Sequence, residues 1–299
     1  MSYRALLLIV LLVPLALLGG ARVLGVTIPV PHWGRDYVVR IAFEDAGSAI
    51  ELPPVEGPDD PSRPLVVIDA GHGGRDPGAV GTGPDGSRFN EKDITLAIAL
   101  ALRDELLKAG GIRVALTRAD DRILPLAHRP EIARRLDADL FISVHADSAG
   151  SRDDVSGASI YTLSDEASSE AAARFAAREN DADRLNGIAI EGQSAAVSAI
   201  LVELSQQRTQ EDALAFAGLV LREGEARLAF VPQPRRAAAL AVLRAPDVPS
   251  VLFESGFVTN RDDRARLTTP EGRAQYAGVL ARAIRVYFAR RTDVAAGGE

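Results

Sequence analysis

The order of apolar and polar residues predicts alternating strands and helices along most of the chain, from residue 64 onward. Short runs that are almost wholly apolar are typical of strands buried on both faces of a sheet. Six such runs are predicted as strands: residues 65–69, 113–117, 140–144, 159–163, 239–243 and 251–253. Their alternation with helices predicts an α/β domain with a mainly parallel twisted sheet of about six strands and helices on both faces.

The segments between these runs predict helices. Residues 90–108 carry an apolar face, with Asn90 as the expected N-cap and acidic residues in the first turn. Residues 130–136 and 271–289 are also predicted to be helical. Residues 164–228 are rich in alanine and charged residues, and they predict two or three helices inserted into the domain after the fourth strand.

The N-terminus is typical of an export signal. An arginine precedes an apolar run at residues 5–18, and small residues follow at positions suited to cleavage after Ala21. The run is shorter than the roughly 20 apolar residues of a membrane span, and an uncleaved anchor is the alternative interpretation. Both interpretations place the body of the chain outside the cytoplasm.

A domain boundary is predicted after this signal. Residues 22–63 form a short segment with a strand-like piece at 37–43, and the proline-rich stretch at 51–64 is typical of a linker. The main domain is expected to span residues 64–290. Residues 291–299 are expected to form a flexible tail.

Composition narrows the function. The chain has 299 residues, 47% of them hydrophobic, which is enough for a sizeable core. The formal net charge of −7 argues against nucleic acid as a partner, because such partners require a concentrated basic surface. Cysteine is absent from the sequence, so any metal ion would have to be bound by histidine, aspartate or glutamate.

Three predicted strands run into residues suited to metal chemistry. His72 follows the first strand on a glycine-rich loop, His145 follows the third, and Glu254 follows the last, while Glu91 opens the first helix. Two histidines and one carboxylate are a recurrent ligand set for catalytic zinc, and a further carboxylate can serve as general base. The alternatives are a turn histidine at His72 and an ion pair between Glu254 and Arg118.

Six ordered segments carry a family resemblance: VIDAGHGGRDPGA at 67–79, NEKD at 90–93, LTR at 116–118, SVHAD at 143–147, GASIY at 157–161 and FESGFVTN at 253–260. Together they resemble the zinc-dependent N-acetylmuramoyl-L-alanine amidases of the Amidase_3 type, over about residues 64–290. The resemblance implies Zn²⁺ as cofactor, with His72, Glu91 and His145 as its ligands and Glu254 as the catalytic carboxylate. It also implies peptidoglycan as substrate, cut at the amide between the lactyl group of N-acetylmuramic acid and L-alanine.

Other polar residues near these segments are expected to have supporting roles. Asp69 and Asp147 are candidates for holding a histidine tautomer, with a capping or turn role as the alternative. Arg118 and Arg129 are interpreted as structural ion-pair formers. The two remaining histidines are expected at the surface: His32 and His128.

The inserted helices suggest regulation. In the family's cell-division members, a helical insertion covers the zinc until an activator binds, and residues 171–183 resemble that element. The resemblance implies autoinhibition, with Glu179 as the first candidate for closing the open zinc position; a solvated charged face is the alternative. A protein activator of the LytM-domain type is also implied. The apolar stretch at 195–204 is its candidate docking surface, with core packing as the alternative.

The expected function is hydrolysis of peptidoglycan in the periplasm, for wall remodelling or daughter-cell separation. Relatives of this kind usually carry a wall-targeting β domain before the linker, whereas residues 22–63 are too few for an independently stable sandwich. A zinc peptidase on the same scaffold and a non-catalytic wall-binding protein are the alternative functions. The presence of all four site residues argues against the non-catalytic one.

Overall fold

A computed structural model describes residues 50–186 and 199–296 of the chain. The predicted export signal at residues 1–21, the strand-like piece at 37–43 and His32 lie outside the described residues. Within the described ranges, no helix has both the length and the apolar character that crossing a membrane requires.

Strands and helices alternate along the described chain, as the hydrophobic pattern predicts. In chain order the elements are β1 (Leu65–Ala70), β2 (Val80–Thr82), β3 (Arg88–Asn90), α1 (Glu91–Ala109), β4 (Arg113–Leu116), α2 (His128–Arg135), β5 (Leu140–Asp147), β6 (Ala158–Leu163), α3 (Glu170–Asn180), α4 (Ala182–Leu185), α5 (Ala199–Gly224), β7 (Phe230–Ala238), a 3-10 helix (Ala241–Leu243), β8 (Ser250–Phe257), α6 (Arg261–Thr268) and α7 (Pro270–Ala296).

Six of the strands form one sheet in the order β4-β1-β5-β8-β6-β7. The neighbours β4, β1, β5 and β8 run parallel, and so do β6 and β7; the β6–β8 pair is antiparallel. The prediction of a mainly parallel sheet of about six strands is confirmed. In the pairing of β5 with β8, His145 lies directly opposite Glu254.

The core occupies both faces of this sheet. Alternate residues of β1 point to opposite faces, so Val66 and Ile68 pack with α1, α5 and α7, whereas Leu65 and Val67 pack with α2, α3 and the 3-10 helix. All four of these side chains are buried. A strand with apolar residues on both faces is what a sheet covered by helices on both sides requires, and helices on both faces are confirmed.

One predicted strand is wrong. Of residues 239–243, the last three form the 3-10 helix and the first two connect it to β7, which is the edge strand. The apolar side chains of Leu240 and Val242 are buried against the face that α3 covers, which explains their hydrophobicity without a strand. Pro232 and Pro234 interrupt the strand pattern of β7, so the sequence does not predict it as a strand. Prolines are tolerated there because an edge strand leaves one row of N–H groups unpaired.

Other boundaries also differ from the prediction. The β2–β3 hairpin and α6 are additional elements, and Asn90 precedes α1 without a side-chain capping bond. The last helix continues to Ala296, and Arg291 lies 2.6 Å from Asp212 in an ion pair, so a flexible tail cannot begin at residue 291. Part of the proline-rich stretch is also ordered, because Glu56 bridges to the edge strand β4.

Candidate metal centre

The carboxyl edge of the sheet brings the predicted site residues together. His72 lies on the loop after β1, His145 near the end of β5, and Glu254 in β8, while Glu91 is the first residue of α1. Carboxyl ends of parallel strands meet at one edge of a sheet, which is where α/β proteins place their sites. All four side chains are buried.

The glycine-rich loop after β1 is shaped by close contacts. His72 has a φ of 62°, a left-handed conformation that is rare outside glycine, and Gly78 has a φ of 66°. A Cβ atom at Gly78 would lie 2.6 Å from the Glu91 carboxylate, and one at Gly71 would lie 2.5 Å from the His145 ring. Glycine at these two positions therefore lets the histidines and Glu91 approach each other.

Glu91 contacts both of the predicted histidine ligands. His72 Nε2 lies 3.1 Å from Glu91 Oε2, and His145 Nδ1 lies 3.0 Å from Glu91 Oε1. The two histidines thus contact different oxygens of the Glu91 carboxylate.

An unpartnered ring nitrogen supports this fit. His72 Nε2 is buried and makes no hydrogen bond, although carboxylate oxygens lie within 3.5 Å of it. The other ring nitrogen, Nδ1, lies 2.7 Å from Asp76 Oδ2. A carboxylate that accepts the Nδ1 proton leaves Nε2 with a free lone pair for a cation.

Glu91 is held by backbone groups as well as by the histidines. Its Oε1 accepts a hydrogen bond from the Ala146 N–H at 2.9 Å, and its Oε2 accepts one from the Ala79 N–H at 2.7 Å. Burial opposes ionisation, but His72 and His145 outweigh it and hold the pKa of Glu91 well below its ordinary value. Burial lowers the pKa of His72, but the carboxylates of Glu91, Glu179 and Asp76 outweigh it and raise this pKa well above its ordinary value.

Glu254 is the least satisfied acid of the site. It is 1% exposed, and both carboxylate oxygens are buried without a hydrogen-bond partner. Burial raises its pKa well above the ordinary value, and the negative charges of Asp147 and Glu91 raise it further. A buried acid with free oxygens beside two histidines has the character of a catalytic rather than a structural group.

The alternative partner of Glu254, Arg118, is engaged elsewhere. Its guanidinium donates hydrogen bonds to the carbonyl oxygens of Ala70, Gly71 and Lys92 at 2.8–2.9 Å. It therefore holds the loop that carries His72 through backbone contacts. The interpretation of Arg118 as an ion-pair former is wrong, because its strongest contacts are carbonyls.

Asp69 has a structural role that differs from the predicted one. Its carboxylate lies 2.8 Å from the Arg129 guanidinium and accepts hydrogen bonds from the hydroxyls of Thr117 and Ser143, each at 2.6 Å. Burial works against it, but Arg129 and these hydroxyls hold the pKa of Asp69 below its ordinary value. The ion-pair role of Arg129 is confirmed, and the histidine partner is Asp76 rather than Asp69.

Asp76 was missed by the sequence analysis, although it stands four residues after His72 in the quoted motif. Its position in a tight turn among glycines and a proline favours a turn role when the sequence is considered alone. A carboxylate within one turn of a candidate histidine ligand is the signal that could have identified it. The predicted surface residue His128 begins α2 and is half-buried.

Helix α3 of the insertion contributes Glu179 to the same cluster. The buried residues of this helix are Ala172, Phe175, Ala176 and Glu179, a spacing that places the acid on the inward stripe. Glu179 Oε2 lies 3.5 Å from His72 Nε2 and 3.4 Å from His145 Nδ1. Ligand atoms of these three residues lie within 4.8 Å of one another and could hold a metal ion. A solvated charged face is therefore excluded for Glu179.

Asp147 contacts the insertion rather than a histidine. Its Oδ1 accepts a hydrogen bond from Arg178 Nη2 at 2.7 Å, and the residue is buried. The prediction that Asp147 holds a histidine tautomer is therefore wrong. Burial raises its pKa above the ordinary value, although Arg178 opposes that effect.

These features define a class of protein before any comparison. A mainly parallel α/β sheet carries two histidines, carboxylates at metal-binding separations and an unpartnered buried acid at its carboxyl edge. This combination is typical of a metal-dependent hydrolase.

Comparison with known proteins assigns the family. Residues 66–286 match the model of the Amidase_3 family, which is described as N-acetylmuramoyl-L-alanine amidase. The match covers more than half of the chain, and the chain belongs to this family. The predicted family and enzyme class are thereby confirmed.

Individual relatives agree with this assignment. N-acetylmuramoyl-L-alanine amidase AmiC of Escherichia coli is 34% identical over 83% of this chain and 60% of its own length. AmiA of Salmonella typhimurium is 36% identical over 76% of this chain and 77% of its own length. The solved structure of AmiC2 of Nostoc punctiforme aligns with a TM-score of 0.52 at 30% identity, covering 76% of this chain and 97% of that one.

Proposed function

We propose that this chain is a zinc-dependent N-acetylmuramoyl-L-alanine amidase acting on peptidoglycan. The observation that carries the proposal is a cluster in which Glu91 contacts both His72 and His145, and in which Nε2 of His72 has no hydrogen-bond partner. On the neighbouring strand β8, both carboxylate oxygens of Glu254 also lack a hydrogen-bond partner. The substrate bond is the amide between the lactyl group of N-acetylmuramic acid and L-alanine, as the family membership supports.

The proposed chemistry assigns a role to each residue. Zinc held by His72, Glu91 and His145 would lower the pKa of a bound water and polarise the amide carbonyl. Asp76 accepts the Nδ1 proton of His72 and fixes the ring, so that Nε2 would be free to bind the ion. Glu254 accepts a proton from the attacking water and then donates it to the leaving nitrogen.

The protonation of Glu254 fits this cycle. Its pKa is raised well above the ordinary value by burial and by neighbouring acids. A bound dication beside it favours the ionised form, so Glu254 is a competent base once the site is loaded. The high intrinsic pKa then favours return of the proton to the leaving group.

We also propose that the insertion inhibits the enzyme. Glu179 places a carboxylate oxygen within 3.5 Å of both histidine nitrogens, where a water or substrate oxygen would have to enter. A carboxylate is itself a zinc ligand, so Glu179 would compete with water for the open position. Displacement of α3 would restore activity.

The proposed setting is the periplasm, reached through the export signal at residues 1–21, with a role in wall remodelling or daughter-cell separation. A protein activator of the LytM-domain type is proposed to bind the insertion and draw α3 away. The candidate docking stretch at 195–204 overlaps the N-terminal part of α5, and residues 195–198 lie outside the described residues.

Digestion of purified sacculi tests the activity. The protein is expected to contain about one zinc per chain and to release fragments with a free muramyl lactyl carboxylate and an L-alanine amino terminus. Glu254→Ala should keep its zinc and release neither. Mass spectra that show cleavage within the stem peptide would instead identify a zinc peptidase.

Removal of the Glu179 carboxylate tests the inhibition. Glu179→Ala is expected to raise basal sacculus hydrolysis about 10- to 100-fold without an activator, the equivalent of losing a charged interaction in the closed state. Glu170→Ala is the matched control, because Glu170 is an exposed acid at the start of the same helix. Basal hydrolysis that stays at the level of the unmodified protein would exclude Glu179 as the inhibiting group.

A further inference from the structure

The ion pair between Arg178 and Asp147 links the inserted helix to the carboxyl edge of the sheet. Arg178 Nη2 lies 2.7 Å from Asp147 Oδ1, and the Arg178 side chain is 49% exposed whereas the Asp147 side chain is 10% exposed. The buried partner therefore belongs to the site, and the exposed partner comes from a segment on its surface. Among the described residues, Arg178 is the cation that pairs with Asp147.

Asp147 lies in the acidic part of the site, beside Glu254. Asp147 follows His145 by two residues in β5, and His145 lies directly opposite Glu254 in the neighbouring strand β8. A nearly buried carboxylate next to another acid is costly unless a cation accompanies it. Once α3 is displaced, Asp147 loses Arg178 and presents an uncompensated negative charge to whatever enters.

The inserted helix places two opposite charges next to each other in this site. Arg178 Nη2 lies between Asp147 Oδ1 at 2.7 Å and Glu179 Oε1 at 3.1 Å, and the other oxygen of Glu179 faces the histidines. The carboxylate of Glu179 thus lies in the metal-ligand cluster, and the adjacent guanidinium of Arg178 is paired with Asp147.

Amide hydrolysis produces the same pair of charges. A C–O bond forms between water and the carbonyl carbon, and the C–N bond breaks. Both protons of the water join the hydrogen already on the amide nitrogen, so one product is a carboxylate and the other carries –NH3⁺, with no change in total charge. Immediately after cleavage, the two groups lie side by side.

We infer that Asp147 binds the positively charged amino group released from the substrate, and that Arg178 occupies this position while α3 covers the site. The inference rests on the proposed amidase function and extends it from the metal side of the scissile bond to the leaving-group side. Asp147 thereby stabilises positive charge on the departing nitrogen, and the Arg178–Glu179 pair imitates the two products.

Binding of a product peptide tests this role separately from turnover. The probe is an L-alanyl-γ-D-glutamyl peptide with a free amino terminus, titrated calorimetrically into the zinc-loaded protein. Arg178→Gln should bind it more tightly than the unmodified protein, because the competing guanidinium is gone. In the Arg178→Gln background, Asp147→Asn should weaken binding about tenfold or more, as loss of a charge-assisted hydrogen bond implies.

Three comparisons distinguish amine binding from a simple latch. The N-acetylated peptide, which lacks the cation, should bind the Arg178→Gln protein weakly and should not respond to Asp147→Asn. Asp147→Glu should recover part of the affinity, which also controls for misfolding of the Asn variant. Arg174→Gln and Asp154→Asn are matched controls, because both residues are exposed, the first on the same helix and the second after β5.

The outcomes separate this inference from the proposed function. If Asp147→Asn leaves the affinity for the free-amine peptide unchanged once Arg178 is replaced, Asp147 only holds α3 in place through its ion pair with Arg178, and the inference is overturned. The same holds if the Arg178→Gln protein does not bind that peptide at millimolar concentration. Sacculi that release no muramyl carboxylate ends would overturn the amidase proposal itself, whatever the peptide titration shows.

Discussion

The carboxyl edge of the sheet and the inserted helix α3 contribute side chains to one cluster, but different forces hold them in place. At the sheet edge, His145 and Glu254 lie opposite each other in fully buried strands, and Arg118 and Arg129 bind the carbonyls of the His72 loop. Helix α3 depends on fewer contacts, mainly the stacking of Phe175 on Tyr161 at a centroid distance of 4.6 Å and several polar bonds at its end.

Those polar bonds connect α3 and α4 to separate loops. Asn180 donates to the Ala239 carbonyl and accepts from the Ala241 N–H, both at 2.8 Å. Asp183 accepts from the Leu126 N–H at 2.8 Å. These bonds are partly buried at the end of α3 and in α4, and they can break together without exposing the core of the sheet.

Because of this difference, the geometry of the cluster can stay fixed at the sheet edge while the contacts of α3 can be broken. The proposed ligands come from β5, from the first residue of α1 and from a loop anchored by buried arginines. The groups proposed to inhibit come from a segment whose contacts are separable. Substitutions at the sheet edge should therefore lower activity or stability, and substitutions in α3 should raise activity at nearly constant stability.

The largest effect is expected at Glu254. Glu254→Gln keeps the shape of the side chain but removes the base, and hydrolysis of sacculi should fall about 10²- to 10⁴-fold. Zinc content and melting temperature should stay close to those of the unmodified protein, since Glu254 is not among the predicted ligands. Retention of most of the activity would move the general base to another residue.

Loss of the Asp69 carboxylate should mainly affect stability. Asp69→Asn leaves the Arg129 charge buried without its partner, and the free energy of unfolding should fall by about 3–5 kcal/mol, measured by urea denaturation. Asp85→Asn, an exposed site, is the control.

The pH dependence of that contribution has a defined sign. The pKa of Asp69 is lowered in the folded protein from its ordinary value of 3.8, so the ionised form stabilises the fold above that pH. The stabilisation should disappear as the pH falls through the lower folded-state pKa. The Asn variant should lack this acid-dependent part of the denaturation curve, and a curve that runs parallel to that of the unmodified protein would contradict the prediction.

A smaller effect is expected at Asp76. Asp76→Asn weakens the bond that orients the His72 ring, and the affinity for zinc should fall about tenfold, within the 10- to 100-fold range for such partners. Competition with a chromophoric chelator measures this affinity. An unchanged zinc affinity would mean that the glycine loop alone orients His72.

The smallest effect is expected at Asn180. Asn180→Ala removes two partly buried hydrogen bonds of α3, and a loss of about 1 kcal/mol from the closed state should raise basal hydrolysis about fivefold. The melting temperature should hardly change, in contrast to Asp69→Asn. Arg174→Ala on the same helix is the control. A large drop in melting temperature would show that α3 belongs to the cooperative core.

Much of the fold could be predicted because it depends on local patterns. The strands that contain His145 and Glu254 are apolar runs, and burial on both faces makes such runs recognisable. Their parallel arrangement then places the strand ends together, which is why His72, Glu91, His145 and Glu254 could be named in advance. The edge strand β7 was not predicted because its prolines and arginines interrupt the apolar pattern that marks a strand.

The supporting contacts could not be predicted in the same way. Asp69, Asp76 and Asp147 all stand near the histidines in sequence, and only the packing shows that Asp76 contacts one of them. Side-chain partners depend on directions that differ by a residue or two along a loop. The distance along the sequence therefore does not show which of these aspartates contacts a histidine.

By itself, the sequence predicted most of the buried strands and the helices that cover them, the family and the four residues of the cluster, because each depends on local hydrophobic pattern or on a contiguous motif. The family resemblance named Glu179 as a candidate, but only the tertiary structure shows its carboxylate within 3.5 Å of both histidines, and it alone shows that Arg178 pairs with Asp147. These contacts join segments more than thirty residues apart along the chain. Their geometry follows from how a helix packs on a sheet, which no local pattern encodes.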